Sequence, residues 1–424
     1  MPTRNRVIYQ SEALFNTVNT TDVTLAGGTG YNTMQFVGFT GRNNPDVLAS
    51  AAELTNNVAF TGLNQFSRIQ SCNYNFKLTR KDVNQFGNLA AIDRVILDAP
   101  TVGLDFTYFL TDMQNERALG FSVTGNALNG GAKIADITSA NAVLSCMSGI
   151  LTDPLINNKN YYIRTVSVGN DANNFGSDTN GTDIGSTIGI GNGFLTNYSL
   201  NAAVGDFPTV SVSIEALNMN FNVGNSGLVP AVSPISGNVV TGRFMLPVGL
   251  TNPSGVLVST TPITALRHGD IRFTLNKTAG NFAGGTDLTN ISGAAIQNFS
   301  LGIPLSRTSL MKLGSKYAYS KEIEFPLTFT LSVDALVQEL TTGNLEHLVN
   351  NDGVYDAVIT LGTASNIGTN EGVGYVLKGL NLDSQDFSSS IGSNKSVSLN
   401  FSAQIGSAQQ TDKGVFMFET VPLA

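Results

Sequence analysis

The chain has 424 residues, of which 13% are charged and 42% hydrophobic, with 44 Gly, no Trp and a formal charge of -8. This composition allows a sizeable core and excludes wholesale disorder, and the acidic balance excludes a freestanding basic nucleic-acid binder. Two cysteines, Cys72 and Cys146, and two histidines, His268 and His347, exclude a disulfide framework and a four-cysteine zinc site and leave little for acid–base chemistry.

Met1 to Arg6 is followed by no apolar run, so no secretory signal is expected. No stretch approaches the ~18 consecutive apolar residues of a membrane helix. Cys72, Tyr74, Phe76 and Leu78 alternate with Asn73, Asn75 and Lys77, and Val102, Leu104, Phe106 and Tyr108 resume the alternation after Pro100. Period two over seven or eight residues predicts strands with one buried face. Asn115 to Gly120 suits a short turn of helix. Ile137, Val143, Leu144, Met147, Ile150 and Leu151 fit helical spacing, with Thr138 or Ser139 as cap.

A strand is expected from Tyr161 to Val168, and another at Val210, Val212 and Ile214. Between Ala216 and Leu217 the apolar phase flips to Leu217, Met219, Phe221 and Val223, which predicts a bulge or a strand leaving one sheet for another. The second half follows with strands at Ile271 to Leu275, Phe299 to Leu305, Leu327 to Val333, Tyr355 to Leu361 and Val397 to Phe401. Asn344 to Val349 suits a short helical turn. Gly/Asn/Asp turns such as Asn129-Gly130-Gly131 and Asp352-Gly353 join the strands.

These segments contain an internal repeat. Ile69-Gln70, Leu78-Thr79-Arg80, Gly87, Ala91 and Ile96 reappear as Ile296-Gln297, Leu305-Ser306-Arg307, Gly314, Ala318 and Ile323, every pair 227 residues apart. Pro100 and Pro326 follow, one residue out of step. Further on, Asn157-Asn158 matches Asn350-Asn351, and Gly193-Phe194 matches Gly374-Tyr375. The falling offsets give the first copy extra residues. Two tandem domains are therefore expected at 1–225 and 226–424, with an extra segment near 118–150.

Candidate chemistry is sparse. The loop Asp178 to Asp183 has oxygen ligands at alternate positions but lacks the distal Glu of an EF-hand, and is read as a solvated loop. His268 beside Asp270 is read as a turn residue, and His347 as a surface residue. Gly189 to Gly193 lacks the strand–helix–strand context of a dinucleotide site. No nucleophile elbow, phosphate loop or His-Glu-x-x-His occurs. Cys72 is read as a small core residue. No catalytic, cofactor-binding or metal-binding residue is assigned. Arg80 and Arg307 end equivalent strands in a chain with few charges. They are read as contacts between the copies or between subunits, with a duplicated surface arginine as the alternative.

The block from Ile69-Gln70 through Leu78-Thr79-Arg80 and Gly87 to Pro100 resembles the core of tail tube proteins from long-tailed bacteriophages. So does the closing segment Gly193-Phe194 to Ser213, and the opening Asn5 to Leu14 is similar to phage virion proteins of this type. The resemblance touches both halves and covers about half of the chain, through patterns and not catalytic signatures. It implies an all-β protein with minor α: two tandem tail-tube-like β-sandwich or half-barrel domains, each with a short helix. In two-domain members, three chains make a pseudo-six-fold ring whose inner strands form a continuous barrel, and rings stack into a tube.

On that resemblance the chain is expected to be a non-enzymatic virion protein, made and assembled in the host cytoplasm, with no cofactor and no membrane insertion. Its expected partners are further copies of itself, a tape-measure protein during assembly, and double-stranded DNA in transit without tight binding. Sheath, tail-terminator and baseplate proteins are further expected neighbours. A net-negative wall repels a duplex and leaves it free to slide. The alternatives are a baseplate hub, distal tail or tail-terminator protein with the same fold, a surface adhesin or flagellin-like filament protein, and a carbohydrate-active β enzyme needing paired carboxylates.

Overall fold

A computed structural model of the chain describes residues 12–18, 64–96, 100–110, 113–124, 145–152, 157–166, 172, 186–223, 226–232, 239–245, 271–277, 294–314, 317–318, 320–337, 354–361, 373–388, 395–407, 410 and 412–419. Its first half holds β1 (Glu12–Val18), β2 (Asn64–Gln65), β3 (Ile69–Lys77), β4 (Arg80–Val83), β5 (Asp93–Ile96) and β6 (Thr101–Phe109). Helix α1 (Gln114–Leu119), β7 (Val123–Thr124) and helix α2 (Ser148–Thr152) follow. Then come β8 (Lys159–Thr165), β9 (Ser186–Ala203), β10 (Thr209–Ala216) and β11 (Asn218–Val223). The second half holds β12 (Ser226–Val232), β13 (Val239–Met245), β14 (Ile271–Lys277), β15 (Ala294–Pro304), β16 (Arg307–Leu310) and β17 (Ser320–Ile323). It closes with β18 (Leu327–Val337), β19 (Tyr355–Leu361), β20 (Val373–Ser388), β21 (Ser396–Ile405) and β22 (Gly414–Glu419).

The fold class is all-β with minor α, as the alternation predicts. Alternate residues of β6, β10, β15, β18 and β21 are buried, and their neighbours carry Ser, Thr, Asn and Asp. That is the signature of a sheet with one covered face. One continuous sheet path runs β14-β19-β20-β21-β18-β15-β9-β10-β6-β3. Its buried face shares a single core with β1, β8 and the helices. Phe66, for instance, meets Phe106 at 5.0 Å and Tyr161 at 6.3 Å between ring centroids. Both described helices lie in the first half. The expected helical turn at Asn344 to Val349, the residues from Ile137 to Leu144, His268, His347 and the Asp178 to Asp183 loop lie outside the described residues.

The two halves repeat one pairing scheme. β1, β3, β4, β5, β6, β8, β9, β10 and β11 have β14, β15, β16, β17, β18, β19, β20, β21 and β22 as counterparts, and each pairing within the first set recurs in the second. The sequence landmarks mark irregular backbone. Gln70 and Gln297 sit at the same register break, where β3 meets β6 and β15 meets β18. Gly87 and Gly314 turn the hairpins β4–β5 and β16–β17 with φ of +91° and +83°, a region that L side chains avoid.

Register corrects one part of the repeat. Lys159 faces Gly193 and Tyr161 faces Ile190, while Tyr355 faces Leu380 and Ala357 faces Leu377. Gly193-Phe194 therefore corresponds to Leu380-Asn381, and not to Gly374-Tyr375. Each glycine answers a different close approach: a Cβ on Gly193 would meet the Tyr161 ring at 2.6 Å, and one on Gly374 would meet Phe418 at 2.3 Å. The true equivalents in this bulge are Asn192 and Gly379, both with positive φ. Asn160 Oδ1 accepts the Asn192 N–H, and Asp356 Oδ1 accepts the Gly379 N–H, each at 3.0 Å.

The phase flip after Ala216 is a change of pairing site. β10 pairs with the C-terminal part of β9, and β11 pairs with its N-terminal part. β9 and β20 thus pass through two environments. Their N-terminal parts are buried among β8 and β11, or β19 and β22, and their C-terminal parts join the strands β10, β15 and β21 of the long path. The hairpin β12–β13, which opens the second half, packs on β9 and β11 of the first.

Candidate assembly interface

The halves meet where β15 pairs antiparallel with β9, from Asn298 opposite Ala203 to Pro304 opposite Asn197. Two backbone bonds extend this joint: Leu305 N–H to Thr196 O, and Val204 N–H to Gln297 O, each at 2.8 Å. Leu301 and Ile303 are fully buried against Leu200 and Tyr198. Beyond the strand, Arg307 donates through Nε to the Leu195 carbonyl at 2.8 Å and through Nη1 to the Lys321 carbonyl at 3.0 Å. Its guanidinium lies 5.3 Å over the Phe194 ring. Burial lowers the Arg307 pKa to about 10, opposed by Glu322, Tyr161 and Glu215, so the group is charged at neutral pH. Lys321 forms an ion pair with Glu215 of β10, and Leu217 packs on Tyr317 and Ala318. The hairpin β16–β17 is thereby fixed on the first half.

The counterparts of this joint are open. Among the described residues, β3 pairs along one edge only, with β6, and residues 381–388 of β20 pair along one edge only, with β21. The hairpin β4–β5 is exposed at every residue, including Arg80. Among the described residues Arg80 makes no hydrogen bond or ion pair, while Arg94 pairs with Asp82 within the hairpin at 2.5 Å. Large apolar side chains stand exposed on both edges: Phe76 is 44% exposed, Leu78 37% and Phe387 50%. Unpaired strand edges with apolar side chains invite another strand. Of the two duplicated arginines, the structure therefore places Arg307 in the joint between the halves and leaves Arg80 in solvent.

The uncovered face of the path is small and polar. Ser71 and Thr107 bond at 2.7 Å, Ser332 donates to Asn400 at 2.8 Å, and Asn400 donates to Ser384 at 2.9 Å. From β3 to residues 381–388 of β20, Asp105, Glu215, Asp334 and Asp386 lie on this face, and Lys77 is the only cation that strand alternation places on that stretch among the described residues. Phosphates find no basic track on it.

The buried face carries a polar cluster that no local sequence signal announces. Tyr108 and Tyr198 donate to Glu116 Oε1 at 2.6 and 3.0 Å, and Tyr375 stands 2.7 Å from Tyr198. With its own proton on Glu116, the Tyr198 hydroxyl accepts from Tyr375. Burial pushes all three tyrosines well above the ordinary phenol range. The four residues come from α1, β6, β9 and β20, so the cluster ties the first half to the second. Nearby, β7 pairs parallel with β22, and Cys146 N–H donates to Val415 O at 2.8 Å.

Cys72 is half-buried against the core, and burial with Glu12 and Asp105 pushes its thiol up to about 12. Among the described residues no group of three His, Cys, Asp or Glu is placed to hold a metal ion, and no helix is long and apolar enough to cross a membrane.

No family model and no curated protein matches the chain. Solved structures match part of it. One is the baseplate of the anti-feeding prophage (AFP), six-fold symmetrised, at 15% identity and a TM-score of 0.25, over 35% of this chain and 97% of that chain. A second is the tail of an empty GTA particle with C6 symmetry, at 12% identity and a TM-score of 0.22, over 34% and 96%. A third is the virion of a native gene transfer agent (GTA) particle, at 11% identity and a TM-score of 0.21, over 36% and 98%.

Proposed function

We propose that the chain is a virion structural protein of the tail tube kind, without catalytic activity, whose copies close into rings that stack around a channel for double-stranded DNA. One observation carries this reading: two halves with the same pairing scheme join in one sheet, whose small polar face from β3 to residues 381–388 of β20 bears, among the described residues, four carboxylates, one of them paired with Lys321, against the single strand lysine Lys77. A wall of that kind repels phosphates and holds no duplex in place. Closure of the sheet by further copies removes the open edges, which otherwise promote uncontrolled pairing. Two units per chain suit a homotrimer with pseudo-six-fold symmetry. Head-to-tail contacts between rings then extend the assembly along its axis. In this reading a tape-measure protein occupies the channel during assembly, and sheath, terminator and baseplate proteins cover the outside and the ends.

Negative-stain microscopy and native mass measurement of the purified protein test the reading. Rings or tubes with chains in multiples of three are expected. A monomer that persists at millimolar concentration, with no ring in particles, overturns it. Three or six chains per tail, in place of hundreds, moves the protein from the tube to a cap or hub.

A further inference from the structure

We infer that β3 of one chain adds antiparallel to residues 381–388 of β20 in a second copy, in the register of the internal β15–β9 joint. The inference rests on the ring reading and specifies its contact. β3 is the counterpart of β15, and β20 that of β9, and among the described residues each has the edge open that its counterpart uses. Carrying the internal register across places Tyr74 opposite Phe387, Asn75 opposite Asp386 and Lys77 opposite Ser384 of the neighbouring copy. Tyr74 and Phe387 then take the places of the buried pair Leu301 and Leu200. This covers the two exposed apolar edges with each other.

Charge supports the same pairing independently. The β3 edge and its continuation carry Lys77, Arg80 and Lys81, with no acid from Ile69 to Lys81. Residues 381–388 carry Asp383 and Asp386, two acids against the one cation at this edge among the described residues, Lys395, whose ammonium lies 5.1 Å over the Phe387 ring. The internal strands β15 and β9 carry no charge over the paired stretch. Opposite charges at the open edges steer unlike edges together and disfavour β3 with β3, or β20 with β20.

Arg80 completes the contact. Its counterpart Arg307 bonds the Leu195 carbonyl, whose counterpart is the Leu382 carbonyl of the second copy. The aromatic platform is not repeated, since Asn381 stands where the internal joint has Phe194. Arg80 thus holds the neighbour by hydrogen bonding without ring stacking.

The test places cysteines in the assembled full-length protein, with Cys72→Ser as background and Cys146 left in its buried site. Asn75→Cys with Asp386→Cys is treated with a short bifunctional thiol reagent, and Asn75→Cys with Ser388→Cys serves as the two-residue slip. Expected is a ladder of linked chains from the first pair at least tenfold stronger than from the second. Asp386→Lys is expected to abolish ring formation and Lys77→Asp to restore it in the double variant, with the circular dichroism of each unchanged. Rings that form normally while the slipped pair, or neither pair, crosslinks overturn the register and leave the ring reading intact. Absence of rings from the parent protein removes the ring reading itself.

Discussion

The hydroxyl of Tyr375 lies 2.7 Å from that of Tyr198, and through it a strand of the second half reaches the Glu116 carboxylate on a helix of the first. Both tyrosines are fully buried, and the Tyr375 hydroxyl reaches the carboxylate only through that of Tyr198. Removing one hydroxyl costs about 1 kcal/mol, and stranding the partners of a buried acceptor costs roughly 1–3 kcal/mol. Tyr375→Phe is therefore expected to lower unfolding stability by about 1 kcal/mol, and Glu116→Leu by two or three times as much. Urea denaturation of the variants measures both. Equal losses from the two would show that the carboxylate is not the hub of the cluster.

The same cluster sets an alkaline limit. Tyr108, Tyr198 and Tyr375 hold their protons more tightly in the folded chain than in the unfolded chain, where the phenol value is 10.0. Their contribution is complete below that value and is lost as pH rises through the folded values. Stability is expected to be insensitive to these groups from pH 7 to 9 and to fall steeply above about pH 10. The triple Tyr→Phe variant should be less stable at pH 8 but show a shallower decline from pH 10 to 12, as read by denaturant midpoints.

Arg307 and Arg80 separate folding from association. Arg307→Ala removes two charge-assisted bonds to carbonyls at the joint between the halves, worth about 2–3 kcal/mol together. Arg80→Ala removes no hydrogen bond or ion pair among the described residues. The first variant should melt several degrees lower as an isolated chain. The second should melt with the parent and show its defect in assembly, seen by sedimentation. A large loss of isolated-chain stability in Arg80→Ala would contradict its exposed position.

Gly374 is held by contact and not by backbone conformation. A methyl group there would lie 2.4 Å from the Ile359 carbonyl as well as 2.3 Å from the Phe418 ring, and the carbonyl belongs to a paired strand that cannot step aside. Gly374→Ala is expected to cost about 3 kcal/mol. At Gly302 the nearest atom is the Thr330 hydroxyl at 3.0 Å, a side chain that can yield, and Gly302→Ala should cost under about 1 kcal/mol. Thermal melts of the two variants give the comparison.

The thiols give a test that needs no substitution. Cys146 is fully buried, and burial raises its pKa. Cys72 is raised to about 12. Neither is a thiolate at pH 8, so a disulfide reagent should modify the folded protein at least tenfold more slowly than the unfolded chain. Fast reaction of one thiol in the native monomer would show that the β3 edge opens readily.

Much of this fold can be read from the sequence because its strands keep one face covered. The alternation of Val102 to Tyr108 and of Leu327 to Val333 marks buried strands directly, and Gln70, Gly87 and their counterparts recur because bulges and positive-φ turns tolerate few residues. The match of Gly193 with Gly374 fails for a physical reason: glycine is demanded there by two unrelated aromatic neighbours, whereas the shared left-handed position is filled by asparagine in one half and glycine in the other. Glu116 with its three tyrosines leaves no periodic trace, since the four residues are drawn together only by tertiary packing. The joint between β9 and β15 is equally invisible in sequence. Two strands of one chain that pair through register alone carry no local motif for it.

The β9–β15 joint also has a kinetic meaning. It closes at the effective concentration of a tethered segment, during folding of a single polypeptide, and never waits for a collision. A ring built from such chains requires half as many intermolecular encounters as one built from separate units, and it contains an even number of units whatever its diameter. A concentration threshold for growth then reports the other half of the contacts alone.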